Sequence, residues 1–505
     1  MATTALQAYD ELIRRSREAS LLGSCAALLD WDHQTYMPPK GSGHRAEQLS
    51  LLAGMVHRLR TAPEIQDLLA AVEASPMVRE AGTPAAVNVR ELRWEYDRAV
   101  RVPEELVKEL TRVCALAHDI WVEARQNSDF SRFAPWLTQI VGLKRQEADA
   151  LGYRETPYDA LLEEYEPGET TAGLRPVLER LRDGLIPLVQ AIAASDRQPD
   201  RSVLAREYPV GAQREFGRRV AAATGFDFQA GRLDVTAHPF CSGIGPGDTR
   251  LTTRYNERDF GDGFFSILHE TGHGLYDQGL DSTCYGTPMG SAVSLGIHES
   301  QSRLWENLVG RSRSFWEHFF PQAREAFPSA LGDVLLDDFV FAVNDVRPSL
   351  IRTEADEATY NLHILLRFEL EQALLTGDLR AADVPAAWAE RMQSYLGLTP
   401  PDDARGCLQD VHWSGGGFGY FPTYTLGNLY AAQFFAQAEA ELEDLPAQLR
   451  RGDLHPLHAW LADRIYRQGM RYRARTLVVV VTGQPLSPQP LLDHLSRKYR
   501  ALYGI

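Results

Sequence analysis

Two histidines four residues apart, with an acid directly after the first, form the arrangement in this chain best suited to chemistry: His269-Glu270-Thr271-Gly272-His273. On a helix such a pair lies on one face about one turn apart, so both imidazoles reach one metal ion. Glu270 is rotated by about 100° from His269, which directs its carboxylate to a metal-bound water rather than to the metal. Neutral imidazole suits zinc, and catalytic zinc keeps a water whose lowered pKa makes hydroxide available near neutrality. That water attacks a carbonyl, with Glu270 as general base and then as proton donor to the leaving amine. In a chain with 14 histidines among 505 residues the string alone arises by chance in roughly a few per cent of cases, so its surroundings decide.

Those surroundings support a buried metal helix, because Phe264, Phe265, Leu268 and Leu275 flank the motif with apolar side chains. Downstream, Ser294 to Trp305 reads as a second helical stretch that carries Glu299. A third protein ligand from a following helix completes a His₂Glu site with one coordination position open, which makes His269, His273 and Glu299 the expected ligands. The rival pattern HExxHxxGxxH fails, since Tyr276 and Gly279 stand where it needs Gly and His.

The elements that must position these groups are mainly α-helical. Residues 1–230 read largely at helical period, as in Leu6, Tyr9 and Ile13 or Leu174, Leu178 and Leu181, and form a helical scaffold and groove wall. Between about 233 and 256 the texture changes to β-branched alternation around a Gly/Pro turn, which predicts a short antiparallel hairpin near the active site. Helices resume after Gly263, so the catalytic motifs occupy 231–430 and C-terminal helices 431–505, the last one from about Pro490 to Tyr503 with Ser487 as its N-cap. No linker or repeat divides the chain, and 1–505 reads as one large unit.

A formal charge of −16, spread along the chain, argues against nucleic acid or an anionic membrane as partner, because both demand a basic footprint. The five cysteines are odd in number, widely spaced and lack a CxxC pair, as expected in a reducing compartment. The N-terminus lacks the apolar core of a secretory signal, and the aliphatic run Leu477 to Val481 is too short to span a bilayer, so a cytoplasmic location is expected.

Further motifs extend this reading. His238-Pro239-Phe240, Asp248-Thr249-Arg250-Leu251-Thr252, the HExxH string, His298-Glu299-Ser300-Gln301, Ile351 to Asp356 (IRxxAD) and Gly406 to Trp413 (GxxQDxHW) follow one another in order. In this series, and in Leu28 to Asp32 with Tyr36 to Pro39, the chain resembles the M32 metallocarboxypeptidases, the thermostable Taq-type carboxypeptidase group. The resemblance implies a mostly helical, bilobed fold with a deep groove, a homodimer, and release of single C-terminal residues from peptides with broad specificity. It also implies zinc, with cobalt able to substitute.

An exopeptidase of that kind must recognise a free carboxylate, and Arg is the side chain shaped to grip one in bidentate fashion. Arg352 is the first candidate and Arg250 the second, with ion pairs to Asp356 or Asp248 as the plainer alternative. His412, followed by a glycine-rich run and by Tyr420 and Tyr424, resembles the pair that stabilises the transition state in similar helical metallopeptidases, and the glycines suggest a hinge. Either tyrosine could equally pack as a core residue. Asp410 and Asp356 could orient a histidine ligand, and His238 could lie on a strand whose edge receives the peptide. Trp31, Asp32, Trp305 and Trp413 read as packing residues. The competing functions are an oligoendopeptidase and a non-catalytic peptide-binding relative; a binding protein has no need of Glu270.

Overall fold

The first helix, Ala5–Thr35, begins in a capping box: the Thr4 hydroxyl accepts the Gln7 N–H while the Gln7 side chain accepts the Thr4 N–H. Its period is the predicted one, but its buried face is not. Ala8, Leu12 and Ala19 are buried, whereas Leu6 is 59% exposed. Ala8 and Leu12 join a core of Ile65, Leu69, Val72, Val89 and Tyr96, with Tyr9 packed at its edge, and Tyr9 and Ile13 line a recess of about 890 Å³. The structure, a computed structural model, describes residues 4–505. Among these no helix is long and apolar enough to cross a membrane.

The stripe Leu174, Leu178 and Leu181 is buried as expected, in the helix Thr171–Ala193. It belongs to a second and far larger hydrophobic core that runs without a break from Val113 to Tyr503. The helices that carry the motifs and those of the C-terminal region therefore share one interior. The last helix, Gln489–Tyr503, starts one residue earlier than predicted; Ser487 accepts the Gln489 N–H, although Pro488 holds the cap position.

The β element is a three-stranded sheet rather than a hairpin alone. Strands β2 (Cys241–Gly245) and β3 (Asp248–Thr253) pair antiparallel across the Gly/Pro turn, as expected. Strand β1 (Gly231–Val235) pairs parallel with β3, giving the order β1-β3-β2. The connection 236–240 leaves a gap one strand wide, and β3 inserts into it. His238 lies exposed on that connection and not on a strand, because the following Pro239 has no N–H for the ladder. The end of the first helix packs on the sheet: Trp31 lies under the Arg250 guanidinium, 4.2 Å from ring centre to carbon, and the Thr236 hydroxyl donates to the Gln34 carbonyl.

Candidate metal centre

Asp259 starts the HExxH helix, Phe260–Gly279, by accepting the N–H groups of Gly261 and Asp262. Phe264, Phe265, Leu268 and Leu275 are all buried and anchor it in the large core. The Glu299 helix, Leu295–Arg303, begins at Ser294, whose hydroxyl accepts the Ile297 N–H. The two helices meet main chain to main chain: a Cβ at Gly272 would stand 2.4 Å from the Gln301 carbonyl oxygen. A third helix, Pro422–Glu441, makes a similar approach, since a Cβ at Gly427 would stand 2.4 Å from Glu299 Cγ.

These approaches bring His269, His273 and Glu299 together, with one donor atom of each within 4.8 Å of the others. Glu299 Oε2 lies 3.6 Å from His269 Nε2 and 3.4 Å from His273 Nε2. Every donor is held from behind. Glu306 Oε2, in the π-helical turn Leu304–Val309, is 2.9 Å from His269 Nδ1. His298 Nδ1 is 2.6 Å from His273 Nδ1, and His298 Nε2 is 3.1 Å from Asp277. Arg303 Nε donates to Glu299 Oε1 at 2.7 Å and the Ser302 hydroxyl donates to Glu299 Oε2 at 3.0 Å. Such supporting partners fix ligand orientation and leave Nε2 of each histidine for a metal.

The electrostatics suit a cation. Burial opposes a charged His269, yet Glu299 and Glu306 outweigh it and raise its pKa to about 9. The carboxylates that hold a proton there would hold a divalent ion in its place, and two imidazoles with one carboxylate are a zinc-type donor set. Burial lowers His273 to about 4, so this imidazole is neutral. Glu270, 6% exposed, is pushed by burial up to about 7 against the pull of His269.

Asp356 and Asp410 do not orient a histidine ligand. Asp356 accepts the N–H groups of Arg347, Ala358 and Thr359 and so braces the turn before the helix Tyr360–Thr376. Asp410 binds two arginines. Its Oδ1 accepts Nε and Nη2 of Arg352, at 3.0 and 2.8 Å, and its Oδ2 accepts Nε and Nη2 of Arg367, at 2.7 and 2.5 Å. Gln409 adds a bond to the Arg352 N–H, so the IRxxAD and GxxQDxHW segments are tied to each other. Arg352 is 6% exposed and also donates Nη1 to the Tyr360 hydroxyl, which leaves two of its five N–H groups uncommitted. Arg303 lies 4.6 Å from the centre of the Tyr360 ring and so links this cluster to Glu299.

His412, Tyr420 and Tyr424 stand together, with ring centres 5.3 Å apart for His412–Tyr420, 5.4 Å for Tyr420–Tyr424 and 6.4 Å for His412–Tyr424. Burial lowers His412 to about 4 despite nearby Asp410, and burial raises both tyrosines, so all three are neutral donors at neutral pH. The Arg352 guanidinium carbon is 5.0 Å from the Tyr424 ring centre. Arg250 sits apart on β3, in a bidentate pair with Asp248 at 2.8 Å for both bonds. Of the predicted residues, then, the trio with Glu270 forms one group and Arg352, His412, Tyr420 and Tyr424 a second, joined through Arg303 and Tyr360. Arg250 and His238 belong to the sheet region. Sequence alone gave no supporting role to Glu306, Asp277 or Arg303, and placed His298 in a motif without one; Glu306 was findable, since it lies two helical turns after Glu299.

Glu166 holds the Glu299 helix at its start, accepting the Ser294 hydroxyl at 2.9 Å, the Gly296 N–H at 3.0 Å and the Tyr430 hydroxyl at 2.9 Å. Burial raises its pKa to about 7, with those three bonds pulling the other way. Between pH 4.5 and 7 the folded state therefore binds more protons than the unfolded one, so this stabilisation is complete at the acidic end and lost as pH rises through 7. In Glu166→Gln the oxygen can still accept from Gly296, while the amide donates to the two hydroxyls. The fall in stability from pH 5 to 8, read from denaturant titrations, should then be smaller than in wild type by about 2–3 kcal/mol, at ~1.4 kcal/mol per pH unit. An unchanged pH dependence would contradict the assignment.

The family model for "Carboxypeptidase Taq (M32) metallopeptidase" matches residues 11–499. The chain is 52% identical to thermostable carboxypeptidase 1 of Thermus thermophilus, over 98% of this chain and 99% of the relative. It is 39% identical to carboxypeptidase 1 of Bacillus subtilis, over 98% of each. The crystal structure of an M32 carboxypeptidase from Deinococcus radiodurans R1 superposes with a TM-score of 0.96 at 41% identity, over 99% of this chain and 100% of that one. Two neighbouring helices that place two imidazoles and a carboxylate around one point, in a mainly α fold shared along its whole length with these enzymes, identify the chain as a member of the M32 family of metallocarboxypeptidases, a peptide hydrolase.

Proposed function

We propose that the enzyme releases single residues from the free C-termini of peptides, with broad tolerance for the side chain removed, and that its metal is one zinc ion for which cobalt can substitute. The observation that carries this reading is the trio His269, His273 and Glu299, with the buried carboxylate of Glu270 on the same helix. Those three residues would hold the ion, which supplies Lewis acidity to polarise the scissile carbonyl and make water nucleophilic near neutral pH. Glu270 takes the proton of the attacking water and passes it to the leaving amine, a double duty suited to a carboxyl whose pKa burial has lifted to about 7. His412, Tyr420 and Tyr424 are the donors for the developing oxyanion, being neutral and clustered, with both tyrosines within reach of the field of Glu299.

For the terminal carboxylate we favour Arg352. Its cluster pairs two guanidiniums with the single carboxylate of Asp410, an excess of positive charge that suits an anion. Arg250 is second, since Asp248 balances its charge one to one, and His238 could meet the peptide from the exposed connection between β1 and β2. The five cysteines are free thiols, which supports a reducing, cytoplasmic location; the homodimer rests on the family resemblance.

Metal analysis together with a product assay on paired peptides tests this reading. One zinc per chain, single residues released from free peptides and no cleavage of their amidated counterparts are expected. Equal cleavage of both peptides would replace it with an oligoendopeptidase.

A further inference from the structure

Behind the glycine-rich run that follows His412, the carboxylate of Glu371 is fully buried on the helix Tyr360–Thr376. Its Oε1 accepts Trp413 Nε1–H at 2.9 Å, and its Oε2 accepts the Gly419 N–H at 3.1 Å and the Tyr158 hydroxyl at 2.8 Å. Trp413 directly follows His412, and Gly419 directly precedes Tyr420. One side chain thus grips the segment next to both groups assigned to the oxyanion.

The segment is correspondingly pinned and does not have the character of a hinge. Trp413, Ser414, Phe418 and Gly419 are buried. Gly419 has φ +86°, and a Cβ there would stand 2.7 Å from the Leu161 carbonyl carbon, so the run lies against the helix Pro157–Tyr165. That helix also supplies Tyr158, and its Tyr165 packs edge-on to Tyr420 with ring centres 5.2 Å apart. All three donors to Glu371 are neutral. A buried carboxylate with no cation bonded to it is costly, and burial pushes its pKa up to about 7 against those bonds and the nearby charge of Arg367. An apolar residue would fill the space at less cost but could accept no N–H from either end.

We propose that Glu371 is a positioning residue for catalysis: by accepting from Trp413 and Gly419 together it sets the placement of His412 and Tyr420. The proposal rests on the oxyanion role given to those two residues above. Misplacement of about 1 Å at a reacting centre can cost about 10²-fold in rate, so the anchor should register in turnover more than in binding.

The test uses the full-length metal-loaded enzyme and the variant Glu371→Gln. Its single amide oxygen can serve only one of the two N–H donors, so whichever way the amide turns, one of the two anchoring bonds is lost. Trp413→Phe removes the Trp413 bond alone while keeping the carboxylate. For both variants kcat should fall about 10- to 100-fold with KM within about threefold, metal content should be unchanged, and the double variant should be no slower than the worse single one. Hydrogen exchange should accelerate at 412–420 and not elsewhere; this readout needs no substrate, so it stands even if the paired-peptide assay rejects carboxypeptidase action. Unchanged kcat with unchanged exchange would overturn the proposal. So would faster exchange spread evenly over the chain; if Glu371→Gln does not fold, Trp413→Phe decides between these outcomes.

Discussion

Glu270→Gln is expected to lower kcat by about 10³-fold, within the ~10²–10⁴ that a positioned general base contributes, while metal stoichiometry stays that of the wild type. The amide has nearly the same shape and occupies the same buried position, but it cannot take a proton from water. Of the three proposed ligands, His269 and His273 sit one residue before and three after it and Glu299 lies on the next helix, and their supports come from Glu306, His298 and Arg303, none of which bonds to Glu270. Chemistry should therefore be lost without the metal. Single-turnover rates on a free peptide, with metal analysis of the same preparation, check this; near-normal turnover would remove Glu270 from the role of base.

The second large effect falls on stability. In Asp410→Ala, Arg367, fully buried, and Arg352, 6% exposed, lose the one carboxylate that they share. Removing one partner from a buried ion-pair set costs about 3–5 kcal/mol, because the remaining charge is left without compensation. Arg367 would keep its bonds to the His363 carbonyl and the Gln409 side chain, and Arg352 its bond to the Tyr360 hydroxyl, but these are neutral partners. Burial and two adjacent guanidiniums act in opposite senses on Asp410, and the guanidiniums win, holding its carboxyl far below the usual range. Denaturant unfolding at neutral pH is the measurement; a loss of less than ~1 kcal/mol would show that water or a rearranged side chain takes over the charge.

What the sequence made readable was what depends on local spacing. The face shared by His269 and His273 follows from four residues of separation on a helix, and the helical period of most of the scaffold is equally local. Glu299 was legible because it lies on the next helical stretch. The contacts behind the ligands were not, since Asp277 reaches His298 across 21 residues and Glu371 reaches Gly419 across 48. Side-chain chemistry alone could not rank Asp410 as an arginine partner above a histidine partner, because an Asp suits both. The sheet failed in the same way: a hairpin is a local pattern, whereas the parallel pairing of β1 depends on residues 18 positions further on taking the place beside it. At Ala5–Thr35 the period was right, but the buried face is centred on Ala8, Leu12 and Ala19, with Tyr9 at its edge and Leu6 outside it.

The glycines at 272 and 427 carry a last consequence. At Gly272 two helices rest main chain on main chain, so their separation is set by the thickness of the peptide backbone, a quantity that does not vary with rotamer or with side-chain size, and at Gly427 the third helix rests directly on Cβ and Cγ of Glu299. The distance from the histidine pair to Glu299, and from Glu299 to the helix that bears Tyr424, thus behaves like that between parts bolted face to face without a washer. Substitutions on the outer faces of these helices can accumulate while the dimensions of the centre stay the same.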